Sequence, residues 1–277
     1  MLGRGGMGVV HRGRDRLLGR DVALKFLRVD DPDALARVGR EARAQARVQH
    51  EGLCRVYDVG QLDGHAFIAM QLVAGASLRA VAPSLPLRER VRVLRDVAVA
   101  MHVAHRVGVI HRDLKPSNIL CPRDDDGRVR PVVIDFGLAR ALDTASVTNR
   151  GQVVGTPAYM APEQARGASA ELDRRTDVYG LGATLYELCA GVPPFTGRDH
   201  QEILDDVRRR EPPPLRRHHP AVSADLEAIV QRCLRKDPSA RYPSARALAE
   251  ELERFLAGAP ILAGRGALAW RVRTAAR

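Results

Sequence analysis

The sequence predicts an α+β fold in two unequal lobes, a small β-rich one followed by a larger, mainly helical one. Three observations carry that expectation. Up to Leu72 the apolar residues alternate at period two, with one helical interruption. At Gly75-Ala76-Ser77 the alternation breaks, and beyond it the helical period takes over. Inside the second part, two short apolar runs each deliver a carboxylate: Asp113 follows Val109-Ile110-His111-Arg112, and Asp135 follows Val132-Val133-Ile134, with the carboxamide Asn118 between them. Two acids and an amide brought to one cleft can hold a divalent cation and accept a proton.

Composition narrows the function classes. A chain of 277 residues with 45% hydrophobic content can bury a sizeable core. Cys54, Cys121, Cys189 and Cys233 are scattered singly, with no CxxC pair. That predicts neither a zinc site nor a disulfide framework, and fits a reducing, cytoplasmic compartment. No apolar run reaches the roughly 18 residues of a membrane span, and no leader of basic then apolar residues opens the chain. The net charge of +11 alone would suggest nucleic acid or an anionic surface. Only three of the 44 basic residues are lysine, however, and the arginines are spread along the chain. The excess therefore reads as a solvated basic surface, with no specific nucleic acid as partner. Two of the three lysines, Lys25 and Lys115, fall inside candidate site motifs.

The chain opens with Gly3, Gly5 and Gly8 in G-x-G-x-x-G spacing, followed by Val9-Val10-His11-Arg12. Glycines let backbone N–H groups approach phosphate oxygens. A dinucleotide version should follow a strand and open a helix; here a β-hairpin fits better. Asp21–Leu27 alternates as a strand with Lys25 on the face of Ala23. Asp31-Pro32 opens a helix to about Val48, whose Val38, Glu41, Gln45 and Val48 share a face. Glu41 is a lone acid on that inward face. A buried acid requires a cation, and Lys25 is the expected partner. Two more strands are expected over Leu53–Val59 and His65–Leu72, joined by an Asp63-Gly64 turn.

Past the break, Val91, Leu94, Ala98, Met101 and His105 line a long helix ending near Gly108, and Asp124-Asp125-Asp126-Gly127 makes a turn. Leu138–Met160 is polar and aperiodic, and carries Thr144, Ser146, Thr148 and Thr156. Segments of that kind are functional or mobile. Val178–Leu188, preceded by Asp177, is apolar all round and predicts a helix buried in the core. Helices are also expected over Ala224–Leu234 and Ala245–Leu256. Residues 258–277 are Gly/Ala/Arg-rich and read as a tail or linker.

Read as a set, these motifs resemble the eukaryotic-type protein kinase superfamily. Gly3, Gly5, Gly8 and Val10 match its glycine-rich loop. Val22-Ala23-Leu24-Lys25 matches V-A-I-K, and His111-Arg112-Asp113-Leu114 through Asn118 the catalytic loop. Asp135-Phe136-Gly137 is D-F-G, and Ala161-Pro162-Glu163 is A-P-E. The style of Gly3–Gly8 and of Gly155–Gln164 is similar to bacterial Ser/Thr members. The resemblance implies a bilobal protein kinase-like fold over 1–257, with N-lobe 1–72, hinge 71–77 and C-lobe 75–257.

The resemblance also implies roles. ATP and Mg²⁺ (or Mn²⁺) are the expected cofactors, and proteins with Ser/Thr hydroxyls, including this chain itself, the acceptors. Leu2, Gly3, Arg4, Gly5, Gly6, Met7 and Gly8 would cover the phosphates. Val10, Ala23 and Leu120 would sandwich the adenine, with Met70 as gatekeeper and Gln71–Val73 offering backbone hydrogen bonds. Lys25, oriented by Glu41, would reach the α- and β-phosphates. Asn118 and Asp135 would hold the metal, Asp113 would take the acceptor proton, and Lys115 would face the γ-phosphate. Lys115 and Thr156 fit the Ser/Thr branch, and Thr156 would contact Asp113 and Lys115. Arg112 would belong to a pocket for a phosphorylated Thr144, Ser146 or Thr148, making autophosphorylation the expected switch. Glu163 and Arg241 would form a buried pair, Asp177 would cap the catalytic-loop backbone, and His111, Phe136, Val56 and Gln45 would stack as a regulatory spine.

Three departures stand out: the first strand is short, Gln45 is polar where the spine is usually apolar, and Gln71 stands where the hinge often has glutamate. The competing readings are a pseudokinase scaffold, which would bind nucleotide without efficient transfer, and a basic nucleic-acid-binding module.

Overall fold

The computed structural model describes residues 1–5, 8–27, 32–62, 65–136 and 157–263. Five antiparallel strands build the N-terminal sheet: β1 (Gly3–Gly5), β2 (Gly8–Asp15), β3 (Arg20–Leu27), β4 (Val56–Leu62) and β5 (His65–Gln71), in the order β1-β2-β3-β5-β4. Helix α1 (Pro32–Ala46) packs on β4. The sheet and helix share a small core of Ala23, Leu27, Val38, Ala42, Val56, Ile68 and Met70. The expected strand at Leu53 begins three residues later. Leu53 instead bridges to Val133, and the Cys54 N–H donates to the Val133 carbonyl at 2.9 Å. Backbone groups already paired to the other lobe cannot also pair within β4.

The break at Gly75 is a crossing point. Gly75 sits at φ +141°, and a Cβ there would come within 2.7 Å of Pro122 N. A three-stranded ribbon follows, β6 (Ala76–Ser77), β7 (Ile119–Cys121) and β8 (Val132–Val133), in that order. It carries the catalytic-loop stretch between the lobes.

The C-terminal lobe holds α2 (Leu78–Val81), α3 (Leu87–Arg106), α4 (Pro162–Ala165), α5 (Arg174–Ala190), α6 (His200–Arg209), α7 (Ala224–Cys233) and α8 (Ala245–Leu256). The apolar run around Val178 becomes α5, with thirteen of its seventeen residues buried and α3, α7 and α8 packed around it. Glycine permits that closeness. A Cβ at Gly182 would lie 2.3 Å from Cys233 Cβ, and one at Gly180 would lie 3.1 Å from Leu114 Cβ. The catalytic loop thus rests directly on the central helix. Helix α6 was not predicted. Its buried apolar stripe is only Leu204 and Val207, too thin for a periodic signal, although Asp199 caps it by accepting from Glu202 N at 2.9 Å. Among the described residues, no helix is long and apolar enough to cross a membrane.

Candidate active site

The catalytic loop is held by its backbone. Asp177, in the first turn of α5, accepts from the N–H groups of His111 and Arg112, both at 2.8 Å, and pairs with His105 Nε2 at 2.7 Å. This is the cap expected of Asp177; His105 is a partner that sequence reasoning missed. Burial pushes the Asp177 carboxyl up, but the His105 bond and the backbone donors outweigh it, so it stays below the ordinary carboxylate range. Arg112 takes φ +65°, a strained conformation for a side-chain-bearing residue. It is gripped at both ends: Asp177 takes its N–H, and Gln164 Nε2 donates to its carbonyl at 2.9 Å. Gln164 was also unforeseen; its only sequence signal was its place next to Glu163.

Asp113 lies at the centre of a short polar knot. Lys115 Nζ donates to its Oδ2 at 2.8 Å, and Asn118 Nδ2 donates to the same oxygen at 3.0 Å and to the Asp113 carbonyl at 2.9 Å. The Asn118 amide nitrogen is thereby committed to Asp113, so a cation would be held by the amide oxygen, Oδ1. The Ile134 N–H donates to the Asn118 carbonyl at 2.9 Å, so Asn118 and Asp135 are fastened one residue apart across the ribbon. An amide oxygen and a carboxylate are the hard oxygen ligands Mg²⁺ takes when phosphate and water complete its shell. These residues fit such a metal.

The opposite wall differs from expectation. Lys25 does not pair with Glu41. Its Nζ meets Asp135 Oδ1 at 2.6 Å, while Glu41 Oε1 takes Arg112 Nη1 at 3.3 Å. The physical reason is exposure. The Glu41 side chain is 35% accessible, only partly buried, so a guanidinium reaching across the cleft suffices for it. Burial raises the Glu41 pKa and Arg112 only partly offsets this. Lys25, 9% accessible, has the stronger need of a carboxylate close by, and Asp135, at φ +58°, supplies it.

Four of the expected adenine residues, Val10, Ala23, Met70 and Val73, gather around one cluster. Ala23 and Met70 are buried and directly paired in register, with Val10 and Val73 packed on the same core. Leu120 sits half-buried in β7 opposite Ser77 and Val132. The Gln71 N–H donates to the Arg55 carbonyl at 2.8 Å, fixing the start of the hinge. Gly3 is placed by β1, and Leu2 just before it by its N–H, which donates to Val10 O at 2.8 Å. Gly6, Met7, Asp31, the Asp63-Gly64 turn, Gly137, Thr144, Ser146, Thr148, Thr156 and the tail from 264 onward lie outside the described residues.

Two supports complete the site. His111 and Phe136, two residues expected in the spine, are in ring contact with centroids 4.7 Å apart and planes tilted by 42°. Gln45 is buried, and its Nε2 donates to Cys54 O at 3.4 Å while its Oε1 has no partner among the described residues. Glu163 and Arg241 form a bidentate pair, both bonds 2.8 Å, with Thr176 Oγ1 donating to Glu163 at 3.0 Å.

Comparison with known proteins agrees with this geometry. A family model described as protein kinase domain matches residues 1–252. The serine/threonine-protein kinase PknB of Mycobacterium leprae is 40% identical over 271 residues, covering 94% of this chain and 43% of that protein. The serine/threonine-protein kinase pkn3 of Myxococcus xanthus is 41% identical over 268 residues, covering 91% of this chain and 48% of that protein. This chain thus spans less than half the length of these relatives. The crystal structure of the Mycobacterium tuberculosis PknI kinase domain superposes with a TM-score of 0.73 at 29% identity, over 92% of this chain and 93% of that one. With its motifs, its two lobes and these relatives in agreement, the chain belongs to the protein kinase domain family.

Proposed function

We propose that this chain transfers the γ-phosphoryl group of ATP to serine and threonine hydroxyls of proteins. The observation that carries the reading is the Asp113–Lys115–Asn118 knot: a carboxylate, an ammonium and an amide within hydrogen-bond reach of one another. Asp113 orients the acceptor hydroxyl and takes its proton as the oxygen attacks phosphorus. Lys115 offsets the charge gathering on the phosphoryl oxygens, and ADP leaves. A bound Mg²⁺, held by Asn118 and Asp135, would supply further charge neutralisation. Lys25 must exchange Asp135 for phosphate oxygens. The adenine fits between Val10 and Ala23 on one side and Leu120 on the other, with Met70 behind. The working unit extends past the expected end at 257: Ile261 and Ala263 are buried in the C-lobe core, and Glu251 Oε1 accepts from the N–H groups of Leu262 and Ala263 at 2.7 and 2.6 Å, so the reading of a tail or linker is kept for 264–277.

Control by autophosphorylation belongs to the same reading. Arg112 is the partner of Glu41, and a phosphate on Thr144, Ser146 or Thr148 would compete for that guanidinium. Glu41 would then be released toward Lys25. Mass spectrometry after incubation with Mg-ATP tests this, and an unmodified loop in a fully active enzyme would sink it.

The decisive assay uses radiolabelled ATP and dephosphorylated casein, comparing wild type with Asp113→Asn. Loss of about 10²–10⁴-fold in kcat is expected, with label on phosphoserine and phosphothreonine. Equal incorporation by the variant, or label on phosphotyrosine, would overturn the assignment. The Lys25–Asp135 contact favours one other reading, a nucleotide-binding scaffold. ATP bound without transfer by wild type would support it.

A further inference from the structure

One side chain ties the A-P-E segment to the peptide that carries Asp113. Gln164 is the third residue of the short helix α4, whose N-cap, Ala161, has no side-chain oxygen of its own. The Gln164 side chain reaches back instead, and its Oε1 accepts from the Ala161 N–H at 3.0 Å, half of a capping box. That cap needs only the oxygen. The other end of the amide, Nε2, crosses to the catalytic loop, 52 residues away in sequence, and donates to the Arg112 carbonyl at 2.9 Å. Both partners have fixed roles, a donor at Ala161 and an acceptor at Arg112, so the amide can lie only one way round.

The peptide between Arg112 and Asp113 sets the direction in which the Asp113 side chain leaves the backbone, and its two polar ends are held from different sides. His111 Nε2 donates to the Ile134 carbonyl at 2.9 Å. That leaves Nδ1 as an acceptor, and the Asp113 N–H meets it at 3.2 Å. The other end is the Arg112 carbonyl, and Gln164 holds it. The peptide needs holding, because Arg112 sits at φ +65°, a costly conformation for a residue with a side chain. Gln164 is itself anchored. Its neighbour Glu163 is joined to Arg241 by two bonds of 2.8 Å, with both side chains almost fully buried. Rigid support therefore runs from the C-lobe core through α4 to the peptide before Asp113.

We infer that Gln164 is a positioning residue for phosphoryl transfer: through two backbone contacts its amide sets the direction of Asp113, and so the rate of the chemical step. The inference rests on the phosphoryl-transfer reading above. A general base must lie about 2.6–3.2 Å from the group it deprotonates, and a misplacement of about 1 Å can cost about 10²-fold. Glutamate has the shape of glutamine, so in Gln164→Glu only the protonation state decides whether the clamp survives. An ionised carboxyl sets an oxygen against the Arg112 carbonyl oxygen and repels it. A protonated one donates its O–H to that carbonyl and accepts from the Ala161 N–H, as the amide does. The charged groups on the elements around α4 are paired: Glu163 with Arg241, Arg166 with Glu171, Arg208 of α6 with Asp205, Asp177 of α5 with His105, and Arg112 with Glu41. They are common to wild type and variant, so a ratio of the two reports the new carboxyl.

The test compares wild type, Gln164→Ala and Gln164→Glu, with Asp113→Asn as control, using radiolabelled ATP and dephosphorylated casein. At neutral pH both Gln164 variants should lose about 10²-fold in kcat, with the KM for ATP and the thermal midpoint unchanged. As pH falls from about 8 to about 5.5, toward the carboxyl range, the kcat of Gln164→Glu relative to wild type should rise about tenfold, while that of Gln164→Ala stays level. Hydrogen exchange over 111–114 adds a readout independent of turnover. Relative to wild type it should be faster in Gln164→Glu at neutral pH and return toward wild type in acid. Wild-type kcat in both variants, or a level ratio for Gln164→Glu across that pH range, would overturn the inference and leave the phosphoryl-transfer reading standing. A raised KM for ATP at unchanged kcat would do the same. No transfer by wild type would overturn that reading, and the positioning role with it.

Discussion

The ion pairs of the cleft and those beneath it are built to opposite specifications. Glu163 and Arg241 are 1% and 0% accessible and joined by two parallel bonds. Arg241 also donates to the carbonyls of Arg175, Arg235 and Lys236. Every polar group is satisfied, so there is one arrangement and nothing to exchange. Two pairs of the cleft each rest on a single contact, Lys25 to Asp135 and Glu41 to Arg112; Asp135, Glu41 and Arg112 are all about a third accessible. Water can take over when such a pair opens, and another ligand can take its place. Asp135, Glu41 and Arg112 are left half-wet, while the pair that fixes the A-P-E segment is sealed.

The largest effect should come from breaking the sealed pair. Arg241→Ala leaves Glu163 buried and unpaired and should cost about 3–5 kcal/mol in urea denaturation. Acid should probe the same contrast. Burial pushes Glu163 up, but Arg241 and Thr176 bring it net below the ordinary range, and Asp177 is lowered too. Carboxyls depressed in the folded state contribute fully above the unfolded value of about 4, and that stability is lost as pH falls through the folded pKa. Unfolding free energy should therefore drop steeply below about pH 4, and Glu163→Gln should flatten the drop. A smaller effect of opposite sign is expected at Gln45. Replacing it with leucine removes a buried oxygen without a partner, and should raise stability by about 1 kcal/mol. The smallest belongs to Glu41→Gln, under about 1 kcal/mol in thermal unfolding, although kcat should fall if Glu41 later orients Lys25. A loss at Glu41 equal to that at Arg241 would break the comparison.

Much of the site was legible because its chemistry is local. Asp113, Lys115 and Asn118 lie within six residues, and a short turn brings them together whatever the rest of the chain does. The strand alternation around Lys25 and the all-apolar run of α5 likewise needed only period and polarity. His105 was harder to read. It was placed on the face of its helix, but nothing near it in sequence announces a carboxylate 72 residues away. Helix α6 escaped because two buried residues make no stripe.

The sequence by itself determined which groups are present, the order of the lobes and the short-range contacts, because these depend on spacing along the chain. The tertiary structure alone decided who pairs with whom. Lys25, Glu41, Arg112 and Asp135 are two cations and two anions with two possible pairings. The choice between them rests on how deeply each is buried and on the left-handed backbone at Arg112 and Asp135. Burial and backbone strain arise only once the lobes are packed, and no local pattern encodes them.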